Sequence, residues 1–530
     1  MNIIKNLAKP LIDLAQKNEP SSFMINDKLS LNLFSHSGLS KWIAGGTAGL
    51  LVHTASHEWL IYNSDTGAFQ GDHAEAALYQ LLCAYEQLLL GLISRINPAD
   101  QNDAFREYRK FCDLPCKKSV IESLTHEPGI AILPADLDTD DTLINCAGIA
   151  VSTDGARRTG RPDDLFTMST VAKPEDGEPA EFMKFMRWVT CEDGELLAWL
   201  LTACGVALFG HPTDRIINFY GGGSNGKGTL LRTLANVIGK YATTLPRSLV
   251  IKENGGQSRF DKEGLPGRRV AILYDLKADK GRLNLDELKS IAGNGDFVHV
   301  EPKGKKGYDC QLKCKLFLSS NDKIPIDSFG ESEKRRFRLV PFNAHIDDKD
   351  EGIEARFIPE YGKILNLFIE YAVKYYANGR KMPPCKAIDM ATADYFDSQD
   401  IIGQFLKDSE AFTKADYEPK TAFYTKFEEY CEFQQGIRRP MKAKSFTNEL
   451  EKRRIFETVK KIDGKATRVF LRKVTRLQEN LNFQLLSHER NLKETNMKFE
   501  NSCNRVTETT KTGPYDSEEQ RALWEAEGVF

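Results

Sequence analysis

The sequence lacks an apolar run long enough to cross a lipid bilayer. Its longest uninterrupted stretch of apolar and small residues is Leu196–Phe209, which has fourteen residues, whereas a membrane-spanning helix needs about 20. The residues Met1–Asn18 also lack the apolar core and the cleavage site of a secretory signal. We therefore expect a cytoplasmic protein with no membrane partner, in which Leu196–Phe209 forms a buried helix.

The chain also lacks an excess of charge of one sign. It has 72 lysine and arginine residues against 75 aspartate and glutamate residues, which gives a formal net charge of −3. This balance is no global sign of a nucleic-acid-binding protein. A single basic groove or domain is compatible with it, because the average hides local charge.

A zinc-binding pattern is lacking as well. The eleven cysteines are scattered along the chain. Cys112/Cys116 and Cys310/Cys314 share one spacing, but zinc takes about four ligands and no second cysteine or histidine pair stands near either pair. An odd number of cysteines in a long chain without an export signal favours reduced thiols.

A glycine-rich segment follows a short apolar run in the middle of the chain. Ile216–Tyr220 predicts a strand and Leu230–Ile238 predicts a helix. A strand, a glycine-rich loop and a helix form the context of the Walker A motif, in which backbone N–H groups wrap phosphates and the lysine reaches the terminal ones. We therefore predict an ATP site formed by Gly221, Gly222, Gly223, Ser224, Asn225, Gly226, Lys227, Gly228 and Thr229.

The loop departs from the strict motif at one position. A hydroxyl residue normally follows the lysine and holds Mg²⁺, but here Gly228 follows Lys227. Thr229 is the next hydroxyl, and we assign it to Mg²⁺ or to an α-phosphate oxygen.

The Asn-Gly-Lys form of the loop resembles superfamily 3 (AAA+) helicases, above all the phage and plasmid primase-helicase C-terminal family, which is related to the poxvirus primase-helicase. Further segments are similar to that family. The strand-like Arg268–Asp275 resembles its Walker B strand, Leu316–Asn321 resembles its motif C, and Glu333–Phe342 resembles its Arg-Arg stretch.

This resemblance implies roles for four residues. Asp275 would hold Mg²⁺ through water and polarise the attacking water, and Asn321 would sense the γ-phosphate. Either Arg335 or Arg336 would be an arginine finger that reaches the nucleotide of a neighbouring subunit, and the sequence leaves open which one. Hydrolysis between subunits implies a ring, and we expect a homo-hexamer.

Two β-like runs surround a Gly-Lys-Lys-Gly tip between Phe297 and Tyr308, which predicts a hairpin. In the resembling helicases this hairpin enters the central channel and grips single-stranded DNA. Flexible lysines on a protruding tip suit contacts with phosphates of any sequence. We therefore predict DNA contacts at Lys303, Lys305 and Lys306.

The segment 400–474 predicts three helices and a β-hairpin, an order that suggests a winged helix. Asp463-Gly464 is a strong hairpin turn signal, and Ser445 is expected to N-cap a helix that runs from Phe446 to Arg454. From Arg438 to Lys473 there are thirteen basic residues against four acidic ones. This charge favours duplex DNA over the rival interpretation, a protein-docking winged helix. The predicted contacts are Ser445, Lys452, Arg453, Arg454 and Lys465.

A chain of this length is expected to form about three domains. The predicted fold class is an α/β motor (AAA+-like, P-loop NTPase) with a mixed α+β N-terminal domain and a C-terminal winged helix. The predicted boundaries are a leader at 1–34, a collar or partner domain at 35–193, the ATPase motor at 194–393, the winged helix at 394–474 and a charged tail at 475–530.

These features predict an ATP-dependent replicative DNA helicase of a phage, plasmid or mobile element, which acts in the cytoplasm of a bacterial host on single-stranded and forked DNA. A separate primase or polymerase is the expected partner. Two alternatives stay open: a fused primase-helicase, and an ATP-regulated DNA-binding initiator or sensor that hydrolyses ATP without unwinding.

Overall fold

The structure is a computed structural model. It describes residues 2–25, 27–47, 49–54, 58–213, 215–252, 260–277, 281–292, 296–304, 307–326, 331–346, 350–412, 417–433, 441–462 and 465–472. The predicted DNA contacts Lys305 and Lys306, the turn at 463–464 and the tail at 475–530 lie outside these residues. The described chain divides into two compact units, Met1–Asp400 and Ile401–Phe530.

The first part of the larger unit packs five helices against short strands. The helices are α1 (Asn2–Ala15), α2 (His36–Gly46), α3 (Ala74–Leu92), α4 (Gln101–Phe111) and α5 (Leu114–Leu124). The strands are β1 (Met24–Ile25), β2 (Lys28–Leu29), β3 (Leu51–Thr54), β4 (Trp59–Asn63), β5 (Ala68–Gln70), β6 (Ala131–Ile132), β7 (Leu143–Cys146), β8 (Ile149–Ser152) and β9 (Arg157–Thr159). They form sheets in the orders β1-β2, β5-β4-β3-β6 and β7-β8-β9.

Helix α1 belongs to the core of this part, so the expectation of a leader at 1–34 is wrong for its first half. Leu7, Ala8, Leu11 and Ala15 are buried and share one hydrophobic cluster with α2, α3, α4 and α5. Helix α1 packs along α3. Its apolar residues recur every three to four positions, the spacing that gives a helix one buried face.

Helix α3 carries the one segment, Ala74–Arg95, that is long and apolar enough to cross a membrane by length and composition among the described residues. Seven residues of α3 are buried in the cluster that it shares with α1. The protein's own side chains therefore cover that face of the helix. The sequence shows no single long apolar run here, because polar residues such as Glu75 and Gln80 interrupt it.

The second part of the larger unit is a layered α/β structure. Its helices are α6 (Ala180–Val189), α7 (Gly194–Val206), α8 (Lys227–Ile238), α9 (Arg247–Val250), α10 (Leu285–Ile291), α11 (Glu331–Arg336), α12 (Ile353–Phe357), α13 (Tyr361–Ala377) and α14 (Lys386–Gln399). Its strands are β10 (Ile216–Tyr220), β11 (Ala242–Thr244), β12 (Ile251–Lys252), β13 (Val270–Leu276), β14 (Arg282–Leu283), β15 (Phe297–Val300), β16 (Tyr308–Gln311), β17 (Lys315–Ser320) and β18 (Phe337–Pro341).

Five of these strands form a sheet in the order β11-β13-β17-β10-β18, and all of its paired strands run parallel. Such a sheet must be covered on both faces. One face packs against α7, α8 and α13 through Ile217, Phe219, Ile272, Phe317 and Val340. The other packs against α9, α10 and α14 through Ile216, Ala271, Leu273, Leu316 and Leu318. The predicted α/β class is confirmed, and the observed sheet is parallel.

Buried charges join the sheet to segments that precede it. Arg269, which is 1% exposed, stands before β13 and donates Nη2 to the carbonyl of Asp140 at 3.1 Å and Nη1 to Asp141 at 3.5 Å. Lys315 at the start of β17 is 2% exposed and donates to the carbonyl oxygen of Phe209. Burial lowers the pKa of Lys315 to about 7. Arg269 therefore joins the two parts through a desolvated polar contact, whereas Lys315 ties β17 to the segment after α7 within the second part.

The smaller unit has the predicted order of three helices and a hairpin. It contains α15 (Ile401–Asp408), β19 (Tyr417–Pro419), α16 (Lys420–Phe433), α17 (Ala443–Lys452), β20 (Ile455–Ile462) and β21 (Lys465–Arg472). The antiparallel sheet has the order β19-β21-β20. Phe405, Phe423, Phe427 and Phe446 form its aromatic core.

One capping prediction in this unit is wrong. Helix α17 begins at Ala443 with Lys442 at the cap position, so Ser445 lies inside the first turn of the helix rather than before it. The helix also ends at Lys452, two residues earlier than predicted. The prediction rested on residue type alone, because serine is common at N-cap positions.

If α1 is part of the core, truncation of its buried side chains must destabilise the protein. Leu11 is 1% exposed and Ile3 is 65% exposed on the same helix. We expect Leu11→Ala to lower the free energy of unfolding by about 2–5 kcal/mol, because it removes buried methyl groups and leaves a cavity. Ile3→Ala is the matched control and should change it by less than about 0.5 kcal/mol. Equal midpoints of denaturant unfolding for both variants would contradict a core role for α1.

Candidate nucleotide site

The loop between β10 and α8 has a backbone that turns sharply. Gly223, Ser224 and Gly226 all have positive φ angles, of 96°, 47° and 85°. A Cβ atom on Gly221 would lie 2.3 Å from the carbonyl oxygen of Phe342, and one on Gly226 would lie 2.7 Å from Val189. Glycine is therefore required at Gly221 for space and at Gly226 for space and conformation.

Lys227, the first residue of α8, points its side chain back under this loop. Its Nζ donates to the carbonyl oxygen of Gly221 at 2.7 Å, to Asn225 Oδ1 at 2.9 Å and to Asn321 Oδ1 at 3.2 Å. Lys227 is only 4% exposed. Burial lowers the pKa of its ammonium group to about 8, and the charge of Asp275 partly opposes this shift. The structure thus brings together Lys227 and Asn321, which lie 94 residues apart.

Neighbouring segments hold the loop in place. Asn225, which is 3% exposed, donates to the carbonyl oxygen of Phe342 at 3.1 Å. The amide of Ile346 donates to the carbonyl oxygen of Ser224 at 3.1 Å, and the amide of Gly221 donates to that of Ser320 at 3.3 Å. The segments that follow β17 and β18 therefore hold the glycine-rich loop from two sides.

Asp275 lies at the same edge of the sheet. It interrupts the pairing of β13 with β17, where the register shifts between Leu273 and Leu276, and its φ angle is 51°. This irregularity leaves the carboxylate exposed. The carboxyl ends of parallel strands are the usual place for a ligand in such sheets.

The oxygen donors near the loop suit a metal ion that arrives with a nucleotide. Among the described residues, no group of three or more histidine, cysteine or acidic side chains is placed to hold a metal. Magnesium bound to nucleotides usually keeps several waters and takes one or two protein oxygens besides the phosphates. Asp275 and the half-buried Thr229 offer such oxygens, whereas Gly228 offers none.

The arginine pair lies at the other end of the sheet. Arg335 and Arg336 end α11, directly before Phe337, which pairs with Ile216 at the start of β10. The loop begins after Tyr220, the last residue of that strand, so about 13 Å of strand separates the two places. Both arginines therefore stand at the end of the sheet opposite to the loop of their own chain. Arg335 is exposed and Arg336 is half-buried.

The predicted hairpin exists as β15 and β16, which pair antiparallel from Phe297↔Gln311 to Val300↔Tyr308. Lys303 is exposed at its turn. One face of the hairpin packs inward through Val298 and Val300, which are buried. The other face presents Phe297, which is 72% exposed, and His299, which contacts Asp309 at 2.7 Å. The sequence interpretation considered only the lysines and missed Phe297.

In the smaller unit, part of the predicted basic face is neutralised. Lys452 and Arg453 contact Glu449 at 2.5 and 3.1 Å. Arg454 has a positive φ of 62° after the helix, and Lys465 is exposed at the start of β21. The exposed residues of α17 are Ala443, Lys444, Ser445, Asn448, Glu451 and Lys452.

Comparisons with known proteins find a family model over the region around the loop and two distant viral relatives. A family model described as a family of unknown function, DUF5906, matches residues 219–336. The protein named "Putative primase C962R" of African swine fever virus is 28% identical over an alignment 230 residues long, which covers 39% of this chain and 24% of that protein. The protein named "Putative helicase 022R" of Frog virus 3 is 22% identical over 187 residues, which are 34% of this chain and 19% of that protein.

The chain is thus a distant relative of viral proteins of the primase and helicase type. The match spans about a quarter or less of the length of these relatives. Among solved structures, the apo C-terminal region of NrS-1 aligns over 80% of this chain and 96% of that chain, with a TM-score of 0.44 and 13% sequence identity.

The lowered pKa of Lys227 predicts a pH dependence of nucleotide binding. Phosphate attracts the charged ammonium, and the free protein loses this charge as the pH rises through about 8. The affinity for a fluorescent ADP analogue should therefore fall above about pH 8, by up to about tenfold per unit. In Lys227→Arg the guanidinium stays charged, so any remaining affinity should be independent of pH over this range. An affinity of the unaltered protein that stays constant to about pH 9.5 would contradict a lowered pKa of Lys227.

Proposed function

We propose that the chain is an ATP- and Mg²⁺-dependent replicative DNA helicase of a phage, plasmid or mobile element, which translocates on single-stranded DNA as a homo-hexameric ring. The observation that carries this proposal is the contact of Lys227 with Asn321 beneath a glycine-rich loop, with Asp275 at the same sheet edge. The names of the distant viral relatives support an enzyme of DNA replication.

Each of these residues has a chemical role in phosphoryl transfer. Phosphate oxygens would replace the Gly221 carbonyl and Asn225 as partners of the Lys227 ammonium group. Asp275 would hold Mg²⁺ through water and polarise the attacking water molecule, and Asn321 would orient that water against the γ-phosphate. Desolvation of Lys227 strengthens its attraction for the charge that develops on the phosphates.

The position of the arginine pair supports hydrolysis between subunits. Arg335 and Arg336 lie at the opposite end of β18 from the loop of their own chain. An arginine finger from this place must therefore act on a neighbouring copy, which is the reason to propose a ring. Arg335 is the better candidate because its side chain is exposed.

ATP hydrolysis should depend on Lys227. We expect Lys227→Ala to lower kcat for ATP by at least about 100-fold, because the charge that stabilises the phosphoryl transition state is lost. Lys240→Ala, a change at an exposed lysine just after the same helix, is the matched control and should leave kcat unchanged. Equal ATPase rates for both variants would refute the nucleotide site.

Unwinding is measured on a forked DNA in the same preparations. Strand displacement that requires ATP and Lys227 is the expected result. DNA-stimulated hydrolysis without strand displacement would instead favour the ATP-regulated initiator or sensor. A fused primase-helicase is the second enzyme candidate, because the African swine fever virus relative is named a primase. Templated synthesis of RNA primers by the purified chain would establish it, whereas its absence supports a separate primase as partner.

The exposed face of the hairpin predicts two kinds of contact with single-stranded DNA. Bases stack on exposed aromatic rings, and lysines neutralise phosphates. We expect Phe297→Ala to weaken binding of oligothymidine by about 1–3 kcal/mol with an unchanged salt dependence. Lys303→Ala should flatten the slope of log K against log salt concentration by about 0.7.

The matched control for this pair is Phe105→Ala, which removes another exposed aromatic side chain, on α4. It should alter neither affinity nor slope. If Phe297→Ala binds oligothymidine as tightly as the unaltered protein, the hairpin face is no stacking surface.

A further inference from the structure

The guanidinium group of Arg232 covers the glycine that departs from the strict loop motif. Gly228 and Arg232 are four residues apart on α8 and therefore share one face of the helix. A Cβ atom on Gly228 would lie 2.8 Å from Arg232 Nη1. The next two nearest atoms, at 3.6 and 3.7 Å, also belong to the same guanidinium group. Arg232 thus occupies the place in which a side chain at position 228 would stand.

A second residue fixes the orientation of this group. Glu354 of α12 accepts from Arg232 Nε at 2.9 Å and from Nη2 at 2.5 Å. This contact uses one edge of the guanidinium group and turns Nη1 toward Gly228. The side chains of Arg232 and Glu354 are 51% and 32% exposed, and such an exposed ion pair contributes little to stability. Stability alone therefore does not explain why the Arg232–Glu354 ion pair is placed beside Gly228.

In the usual phosphate loop, the hydroxyl after the lysine holds Mg²⁺ against the β- and γ-phosphates. This chain has no side chain there and places a permanently charged donor in the same space. Arginine matches phosphate oxygens well, because its N–H groups form a planar fork of fixed geometry. Within the part of the chain that the structure describes, Arg232 donates hydrogen bonds through Nε and Nη2, which leaves Nη1 for a ligand.

We propose that Arg232 binds a phosphate oxygen of the nucleotide through Nη1, with Glu354 as its positioning residue, and so supplies part of the charge that a hydroxyl-held Mg²⁺ supplies in the strict loop. The inference rests on the proposed nucleotide site. In this proposal the loop does not lose a function at Gly228, because the guanidinium group of Arg232 replaces the missing hydroxyl. Thr229 and Asp275 stay as the oxygen donors for a metal that the nucleotide brings.

The consequence is that nucleotide affinity depends on Arg232 most strongly when Mg²⁺ is removed. The test measures the dissociation constant of a fluorescent ADP analogue in Mg²⁺ and in EDTA. In EDTA, Arg232→Ala should weaken binding by about tenfold or more, which is the loss of one hydrogen bond between charged groups. In Mg²⁺ the loss should be smaller, because the metal compensates part of the missing charge.

A double variant tests the replacement directly. Gly228→Ser with Arg232→Ala restores the hydroxyl and removes the guanidinium group that would clash with it. Its affinity should remain low in EDTA and recover in Mg²⁺, so that the ratio of the two constants rises by about tenfold over that of the unaltered protein. Arg356→Ala is the matched control, since this arginine on α12 pairs with Asp350 and should leave both constants unchanged.

Two results would overturn the inference, and they separate it from the proposed function. If the unaltered protein binds the analogue in a Lys227-dependent way but Arg232→Ala binds equally well in EDTA, only the role of Arg232 is refuted. If the unaltered protein does not bind the analogue, both the nucleotide site and the role of Arg232 are refuted. Circular dichroism of each variant excludes misfolding as the cause of a loss.

Discussion

The burial of one ammonium group is the constraint on which the candidate site depends. Lys227 is almost fully removed from water, and an unpartnered buried charge would cost several kcal/mol. The loop offsets this cost because the Gly221 carbonyl oxygen and the Asn225 side-chain oxygen accept hydrogen bonds from Nζ. That geometry in turn requires the positive φ angles at Gly223 and Gly226. Burial still lowers the pKa of Lys227 to about 8, so these oxygens offset only part of the cost of desolvation.

The parallel sheet converts this local arrangement into a site. Because β10, β13 and β17 run in the same direction, their carboxyl ends meet at one edge, and residues far apart in sequence become neighbours there. The same direction places Arg335 at the opposite edge. The parallel direction of the strands therefore assembles the site around Lys227. It also places Arg335 and Arg336 away from the site of their own chain.

A second group of buried charges ties this sheet to preceding segments. Arg269 and Lys315 stand at the amino ends of β13 and β17, and the carbonyl and carboxylate groups of the 140–141 turn, together with Phe209, accept from them. The amino ends of β13 and β17 thus carry buried cations that donate hydrogen bonds to other segments. The hydrophobic layers between them need no polar partner, which is why the apolar pattern of the strands was easy to interpret.

Local patterns in the sequence were enough to predict the elements around the loop. Both ends of β10 and the last residue of α8 agree with the structure, because glycines and apolar runs act over a few residues. The sequence also indicated Lys227 and Asn321 as candidates, but their contact depends on how the distant strands pair. Long-range packing likewise decided that α1 belongs to a core, that Phe297 is left exposed, and that Arg232 fills the space beside Gly228. Those outcomes depend on which faces other elements cover, and no local pattern carries that information.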